Sequence, residues 1–274
     1  MAITTLDGIL AGVLPPELIY KRSVSLPTTT RYSYFYDAGC PGAAVAPTPG
    51  IGGAALTAYA GQIPFTNPGA GNSYQSRFVI AVASSLGAGS FMLCDRLWHN
   101  SGMSSTSTSP QTINSVTLPG RDMDGSTNGE GVYAAVEWST AGGAGTPNLT
   151  LSYTNQDGTT GRTTPNLVAV TTPVLGTFEV FSLAAGDTGI RSIQTYTASA
   201  TRTSGTFHLV MFRIIATTPG NVGSTTPFQR GNDPLTGNFP RLYDNTVPFV
   251  VNNQAASGGS THPEIIGQMI VAQG

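Results

Sequence analysis

The sequence predicts an all-β protein whose body is a β-sandwich or a jelly-roll-like fold. The clearest observation is the stretch 177–216, which divides into three apolar segments separated by turn residues. The second is that short strand-like segments recur through the middle of the chain, spaced by clusters of Gly, Asp, Ser and Thr. The third is that no helical period lasts beyond two turns. This combination is typical of a sandwich, a jelly roll or a Greek-key fold.

Three strands within 177–216 are predicted to form the centre of the sandwich. In the first, 178–183, aromatic and aliphatic residues fall on both faces. The sequence AGDTG at 185–189 permits a tight reversal, and the second strand, 190–198, returns. The third, 207–215, is apolar on both faces apart from His208 and Arg213, which indicates a strand covered on both sides.

The remaining strands of the body are predicted upstream. Apolar segments at 76–84 and 91–100 are separated by a glycine-bearing connection, and another strand covers 132–138. A further hairpin is predicted to pair LTLSYTNQ (149–156) with the segment after DGTTGRTTP (157–165), where Asp157-Gly158 is the strongest short turn signal in the chain. The total is about eight strands.

The flanks of the body have a different composition, so we divide the chain into an N-terminal segment with an extended arm (1–75), the body (76–217) and a proline-rich strap (218–274). Residues 6–14 can form one or two helical turns before Pro15-Pro16 ends them. Residues 38–76 hold no charged side chain and five prolines, which predicts an arm that packs on a neighbouring molecule. The alternative is a loop that closes the edge of its own domain.

The C-terminal strap is predicted to lie extended on a surface, because its prolines interrupt helices and long strands. Its last residues, 263–274, are apolar enough for a short final strand. Upstream, tyrosines alternate along 32–36 as on one side of a strand, which suits an interface; the alternative is an ordinary strand of the sandwich. The predicted interface residues are Tyr32, Tyr34, Tyr36, Ile51, Tyr59, Phe65, Phe228, Phe239, Tyr243 and Phe249.

Charge sets limits on the partners of the chain. Only 9% of the residues are charged, and Lys21 is the one lysine, so we expect the surface to be covered by other protein. A net charge of -2 without a basic cluster argues against nucleic acid, and no apolar run is long enough for a membrane span or a signal sequence. We expect Cys40 and Cys94 to be buried thiols, although one disulfide is possible.

The loop 121–131, RDMDGSTNGEG, is the nearest approach to a metal site. It fails as an EF-hand because its glycine stands at the fourth position and Tyr133 stands at the twelfth. We expect a solvated polar turn and no metal. A different calcium geometry remains open, with Asp122, Asp124, Asn128 and Glu130 as the ligands.

No arrangement of residues predicts catalysis. Cys94 and His99 are separated by an odd number along a strand, so they point to opposite faces and cannot act as nucleophile and base. We expect a core strand with an Asp95–Arg96 pair at its edge. His208 and His262 lack ligand spacing, and no catalytic or nucleotide-binding motif occurs, which predicts a protein that is not an enzyme and has no cofactor.

Four segments, in this order, resemble a family of virion structural proteins of tailed bacteriophages. They are CDRLWHNSG, GVYAAVEWST, LTLSYTNQDGTTGRTTP and LAAGDTGIRSIQTYT, with a Ser/Thr connector after the first. The resemblance covers the middle of the chain and implies a β-rich particle component such as a capsid decoration (cement) protein. Both flanking segments lie outside it.

We therefore expect a decoration protein on the capsid exterior, made in the host cytoplasm, that bridges subunits of the major capsid protein. Its copies are expected to form trimers, because closed symmetry lets each arm reach the next subunit. One alternative is a tail or baseplate module that binds a receptor glycan through Trp98, Trp138 and Tyr133. The other is a capsid shell protein with a jelly-roll body.

Overall fold

A computed structural model describes residues 5–22, 31–82, 90–219, 230–232, 239–253 and 264–274. It confirms the all-β class: the sheets are antiparallel and the described residues include one short helix and one 3₁₀ turn, Tyr34–Tyr36. The helix is α1 (Leu6–Gly12), and the strands are β1 (Glu17–Lys21), β2 (Tyr32–Ser33), β3 (Gly39–Cys40), β4 (Ala54–Ala55), β5 (Ser73–Val82), β6 (Ser90–His99), β7 (Gln111–Thr112), β8 (Val132–Trp138), β9 (Asn148–Asn155), β10 (Arg162–Thr163), β11 (Leu167–Val168), β12 (Phe178–Val180), β13 (Ile190–Ala198), β14 (Phe207–Pro219), β15 (Arg230–Asn232), β16 (Arg241–Leu242), β17 (Pro248–Asn253) and β18 (Ile265–Gln273).

Contacts between residues divide the chain into two compact units, each of which is discontinuous in sequence. The first unit comprises Met1–Ala44, Ala58–Asp95 and Ile214–Gly274, and the second comprises Val45–Thr57 and Arg96–Arg213. This division differs from the sequential one into 1–75, 76–217 and 218–274, because the first unit gathers strands from both ends of the chain.

The second unit is a β-sandwich. One sheet has the order β10-β9-β13-β7, with β11 also paired to β9, and the other contains β12, β8 and the first part of β14. Alternate residues of the two sheets meet in one apolar core, which includes Val136, Leu151, Ile193 and Leu209. The turn at Asp157-Gly158 joins β9 to β10, and the predicted pairing of 149–156 with the segment after 165 is confirmed at Leu167, which lies opposite Leu149.

The pairing of the three central strands differs from the prediction. β12 and β14 both pair with β8, whereas β13 pairs with β9 in the opposite sheet. The turn 185–189 therefore carries the chain from one sheet to the other and does not close a hairpin. Turn residues permit a reversal, but the burial of Ile190 and Ile193 between the sheets decides which strand becomes the partner.

The first unit is built around β18, whose strand prediction is confirmed. Its sheet has the order β15-β5-β18-β1-β3, and β16 pairs with β5. β17 pairs with β2 and with β6 over 90–95. The expectation that prolines prevent long strands in 218–274 is wrong, because Pro248 occupies the first position of β17 and β18 runs for 9 residues.

The helix at the N-terminal end of the first unit is confirmed. The Oγ1 of Thr5 accepts a hydrogen bond from the backbone N–H of Gly8 at 3.0 Å, which caps α1. α1 lies close to β18, because a Cβ on Gly12 would stand 2.2 Å from the carbonyl oxygen of Gln273. A glycine is therefore required at this approach.

Candidate interaction surface

The sheet of the first unit has one face in the core and one face with exposed apolar side chains. Along β1, Ile19 and Lys21 are buried, so Leu18 and Tyr20 project to the opposite face. Leu18 is 52% exposed.

β18 continues this apolar face next to β1. The register places Leu18 opposite Gln268 and Tyr20 opposite Ile266, which is 50% exposed. Ile265 and Met269 point the other way and are fully buried. We call the outward set the outer strip; its members are Leu18, Tyr20, Ile266, Gln268 and Ile270.

A pocket lies at the end of this face, under α1. Its volume is about 190 Å³, and it is lined by Ile9, Tyr74, Phe239 and Ala272. Tyr74 and Ala272 are directly opposite each other on β5 and β18. α1 thus covers one end of the outer face. Beyond α1, Leu18 on β1 and Ile266 on β18 are about half exposed, whereas Val79, which lies on β5 opposite Gln268, is 2% exposed, so the accessible part of the face is limited to β1 and β18.

Sequence reasoning missed the outer strip, apart from the neighbouring Phe239. The signal was present in ELIYK and in EIIGQMI, because both segments are apolar at odd and even positions. Such a pattern predicts a strand that is covered on both faces. Here one of the two apolar faces is open.

Four predicted interface residues are core residues of the first unit, which corrects their assignment to a surface. Tyr32, Tyr34, Tyr36 and Phe249 are 1%, 1%, 8% and 2% exposed. The strand predicted over 32–36 ends at Ser33, whose Oγ accepts a hydrogen bond from the N–H of Phe35 and begins the 3₁₀ turn. This turn directs consecutive aromatic rings into the core, where the ring of Phe35 packs 5.8 Å from that of Phe249.

The other predicted interface residues have partly accessible positions. Ile51 is 40% exposed, and Tyr59, Phe65, Phe239 and Tyr243 are half-buried. Phe228 lies outside the described residues, as does His262.

The segment 38–76 packs on its own chain wherever it has regular structure. β4 pairs with β6, and the N–H of Leu56 donates to the carbonyl of Leu97 at 2.9 Å. In the first unit, the N–H of Ile63 donates to the carbonyl of Pro248 at 2.9 Å. These contacts fit the alternative interpretation, a loop that closes the edge of its own domain. They do not fit the predicted arm that packs on a neighbouring molecule.

The aromatic residues proposed for a glycan site do not form an exposed platform. Trp98 and Trp138 are 0% and 2% exposed, and the indole N–H of Trp138 donates to Glu179 at 2.8 Å. Tyr133 is half-buried beside Phe212. A sugar ring therefore has no access to the two indoles.

The loop 121–131 is organised around a buried carboxylate. Asp122 is fully buried, which corrects the expectation of a solvated turn around it. Its two oxygens accept five hydrogen bonds of 2.6–3.2 Å from the backbone N–H groups of Asp124, Ser126, Gly129 and Glu130 and from the Ser126 hydroxyl. Backbone donors point at the position that a calcium ion would need, so Asp122 does not fit a calcium site.

A buried charged cluster crosses the second unit. Glu137 Oε2 lies 2.6 Å from both Arg96 Nη2 and His208 Nε2, and all three side chains are at most 2% exposed. Burial alone would raise the pKa of Glu137, but the Arg96 charge and the His208 hydrogen bond outweigh it and hold that pKa well below its usual range. Burial lowers the pKa of His208, so a neutral imidazole donates to the carboxylate.

This cluster differs from the predicted Asp95–Arg96 pair. Arg96 pairs with Glu137, and Asp95 accepts from the N–H of Val247 at 2.9 Å. Burial and the nearby Arg96 charge lower the pKa of His99 to about 2. The neutral histidines and the paired charges are arranged as a structural network in the core.

Two segments of the virion-protein resemblance, LTLSYTNQDGTTGRTTP and LAAGDTGIRSIQTYT, meet at Asp187. Its carboxylate accepts hydrogen bonds from Tyr153, from Asn155 at 2.8 Å and from Arg162 at 2.8 Å. Burial acts to raise the pKa of Asp187, but these three donors outweigh it and lower the pKa to about 2. These residues thus hold the β9–β10 hairpin against the turn 185–189.

The single lysine is buried in the first unit. Lys21 Nζ donates to the carbonyls of Asp37 at 3.0 Å and Pro41 at 2.8 Å, and burial lowers the pKa of Lys21 to about 8. Burial also raises the pKa of Asp37 to about 6, although a hydrogen bond from Tyr32 opposes the shift.

Metal and thiol chemistry have little support among the described residues. No group of three or more His, Cys, Asp or Glu side chains in the described ranges could hold a metal ion. Cys94 is buried as expected, whereas Cys40 is exposed, which corrects that part of the prediction, and neither is in a disulfide. Within the described part of the chain, no helix is long and apolar enough to cross a membrane.

Comparisons with known proteins add little. No protein-family model matches the sequence, and no curated protein matches it significantly. The chain is similar to the VP2 subviral particle of infectious bursal disease virus, at 10% identity over 96% of this chain and 82% of that chain, with a TM-score of 0.23. The Gx strain of the same virus matches at 10% identity over 95% and 82% of the two chains, with a TM-score of 0.19. TM-scores this low carry no argument about fold or function.

Proposed function

We propose that this chain is a non-enzymatic structural component of a bacteriophage particle, of the capsid decoration (cement) type. The observation that carries the proposal is the outer strip, where Leu18 and Ile266 stay about half exposed on paired strands. In a chain with only 9% charged residues, such a face is a surface to be covered by other protein.

The mode of attachment differs from the one first expected. The described parts of 38–76 and 218–274 pack within their own units, so bridging by two free arms is not proposed. Attachment instead uses the sheet face formed by β1 and β18, with the pocket under α1 at its end. The partners are the major capsid protein and copies of this chain on the capsid exterior, where many weak contacts add up by avidity.

Particles purified from the source of the gene and labelled with an antibody against this chain test the proposal. We expect label on the head of intact particles. Label confined to the tail or baseplate, or its absence from purified particles, would overturn the decoration role.

Expression of the chain alone separates decoration from the shell alternative. A decoration protein remains a small soluble species, whereas a shell protein assembles into closed particles that negative-stain microscopy detects. Closed particles would therefore replace the decoration role by the shell role.

A further inference from the structure

We propose that Asn128 is a site of covalent self-modification, whose side-chain amide deamidates when the loop 121–131 opens, and that Asp122 suppresses this reaction in the folded chain. Asn128 lies in the second unit, whereas the proposed function uses the first. Three features support the proposal: the sequence Asn128-Gly129, the packing that requires a glycine at position 129, and the hydrogen bond from its N–H to a buried carboxylate.

The reaction takes place between the side chain of Asn128 and the backbone nitrogen of Gly129. That nitrogen loses its proton to solvent and attacks the Cγ carbon of Asn128, so that a succinimide ring closes and ammonia leaves. Water then opens the ring at either carbonyl, which gives aspartate or isoaspartate and adds a negative charge. The sequence of steps consumes water, releases ammonia and needs no oxidant, reductant or metal. Asn128 is exposed, and the following glycine has no Cβ to hinder the attack.

The packing of the loop requires a glycine at position 129. Its φ is +88°, and a Cβ on Gly129 would stand 2.2 Å from the carbonyl oxygen of Ile190, the first residue of β13. The next residue, Glu130, forms a β-bridge with Gly189. The reactive Asn-Gly pair is therefore a consequence of this close approach to β13.

Asp122 acts on the nitrogen that has to attack. The N–H of Gly129 donates to Asp122 Oδ2 at 2.9 Å, and Asp122 is fully buried. The attacking nitrogen becomes negative, and a carboxylate oxygen at hydrogen-bond distance disfavours a second negative charge beside it. The nitrogen of the succinimide carries no hydrogen, so ring closure also removes a donor from the buried carboxylate. The native hydrogen bond and the reaction therefore exclude each other.

Contacts on the C-terminal side of Gly129 keep the loop closed around Asp122. The N–H of Glu130 donates to the same Asp122 oxygen at 3.2 Å, and the N–H of Gly131 donates to the carbonyl of Thr188 at 3.2 Å. The Thr188 hydroxyl donates to Glu130 Oε2 at 2.7 Å. Deamidation requires that these contacts break, so the modified fraction records how often the loop has opened.

The isoaspartate product does not fit the native loop. Isoaspartate routes the backbone through the side chain of residue 128 and so lengthens the chain between residues 128 and 129. The longer backbone displaces the Gly129 N–H from Asp122, and the close approach to Ile190 leaves no room for the shift. Each modification is therefore one-way and leaves a loop that opens more readily.

Incubation of the full chain at mildly alkaline pH, followed by peptide mapping with mass spectrometry, tests the proposal. Folded wild type should deamidate at Asn128 at least about tenfold more slowly than the same chain in urea, because a hydrogen bond to a charged group has to break first. In folded Asp122→Ala the reaction should accelerate at least about fivefold. Asp124→Ala is the matched control, because Asp124 is exposed and donates to Asp122 through its backbone N–H; its rate should stay within about twofold of wild type.

Asp122→Asn is a second variant, which keeps the shape of the side chain and removes its charge. It should accelerate the reaction at least about threefold, and circular dichroism establishes which variants are folded. A folded Asp122→Ala or Asp122→Asn variant that deamidates as slowly as wild type would overturn the role of Asp122. Equal rates for wild type when folded and in urea would overturn the whole proposal.

Hydrogen exchange of wild type decides the case in which neither Asp122 variant folds. The proposal expects slow exchange of the Gly129 N–H, because Asp122 holds it. Rapid exchange at Gly129 would show that the attacking nitrogen is not held and would overturn the proposal.

Discussion

The two units of this chain differ in how completely their strands cover apolar side chains. In the second unit, exposed large apolar residues such as Met123 and Val168 lie on separate segments. In the first unit, Leu18 and Ile266 come from two paired strands and lie on one face. Scattered exposure is normal for a protein surface, whereas a continuous apolar face calls for a partner. On the proposed function, this difference places the attachment surface in the first unit.

The units also differ in the polar groups that they bury. The second unit pairs Glu137 with Arg96 and His208, so its buried charges have opposite neighbours. The first unit buries Asp37, which is near the Lys21 charge and accepts a hydrogen bond from Tyr32. The neighbouring groups outweigh burial at Glu137 and lower its pKa, whereas burial outweighs the Tyr32 hydrogen bond and the Lys21 charge at Asp37 and raises its pKa.

The largest loss of stability is expected from a substitution that breaks the Glu137–Arg96–His208 cluster of the second unit. Glu137→Ala leaves the Arg96 charge buried without its carboxylate, which should lower the free energy of unfolding by about 3–5 kcal/mol. Urea denaturation followed by tryptophan fluorescence measures this, because both tryptophans lie in the second unit. Glu130→Ala is the control, since Glu130 is half-exposed and accepts from Thr188 at the surface; its cost should stay below about 1 kcal/mol. Equal costs for both variants would show that the buried cluster does not matter.

The second-largest loss of stability is expected from a substitution that tests whether the C-terminal segment contributes to the core of the first unit. Met269 is fully buried, and the next residue toward the N-terminus, Gln268, projects to the outer face. Met269→Ala should destabilise the protein by about 2–5 kcal/mol, and Gln268→Ala by less than about 0.5 kcal/mol. Thermal unfolding followed by circular dichroism compares the two. A C-terminal segment that acts as a detachable strap would make both substitutions neutral.

Two carboxylates, one in each unit, should respond to pH with opposite signs. Asp37 has a folded pKa of about 6, above its unfolded value of 3.8, so its favourable contribution is complete below pH 3.8 and disappears as pH rises through 6. Asp187 has a folded pKa of about 2, so its contribution is present above pH 3.8 and disappears as pH falls through 2.

Stability measured from pH 2 to pH 7 in Asp37→Asn and Asp187→Asn separates the two contributions. Asp37→Asn should flatten the loss of stability between pH 4 and 6, and Asp187→Asn should flatten the loss between pH 4 and 2. Wild-type slopes that persist in either variant would assign the titration to other groups.

The second unit was easier to predict from the sequence than the first, because its strands lie close together along the chain. Most of it comes from the continuous range 96–213, where alternation and turn residues such as Asp157-Gly158 predict β8, β9, β13 and the hairpin. What could not be predicted was the sheet to which each strand belongs, because β12 and β13 follow one another yet join different sheets.

The first unit could not be assembled from sequence, because its strands are remote from one another. β18 was predicted as a short final strand, but its position between β5 and β1 depends on pairing across most of the chain. The tyrosines at 32–36 alternate as in a strand, yet the Ser33 cap turns them into the core. The outer strip was missed because an apolar pattern on two faces does not reveal which face is covered.

The most direct test of the account is the accessibility of the outer strip on the particle. Ile266→Cys and Val168→Cys, each in a Cys40→Ser background, react with a maleimide either free or bound to particles. If the outer strip is the attachment face, binding slows the reaction of the cysteine at position 266 at least about tenfold and leaves the reaction of the cysteine at position 168 unchanged. Equal rates at position 266 in the free and bound states would contradict the assignment of this face to attachment.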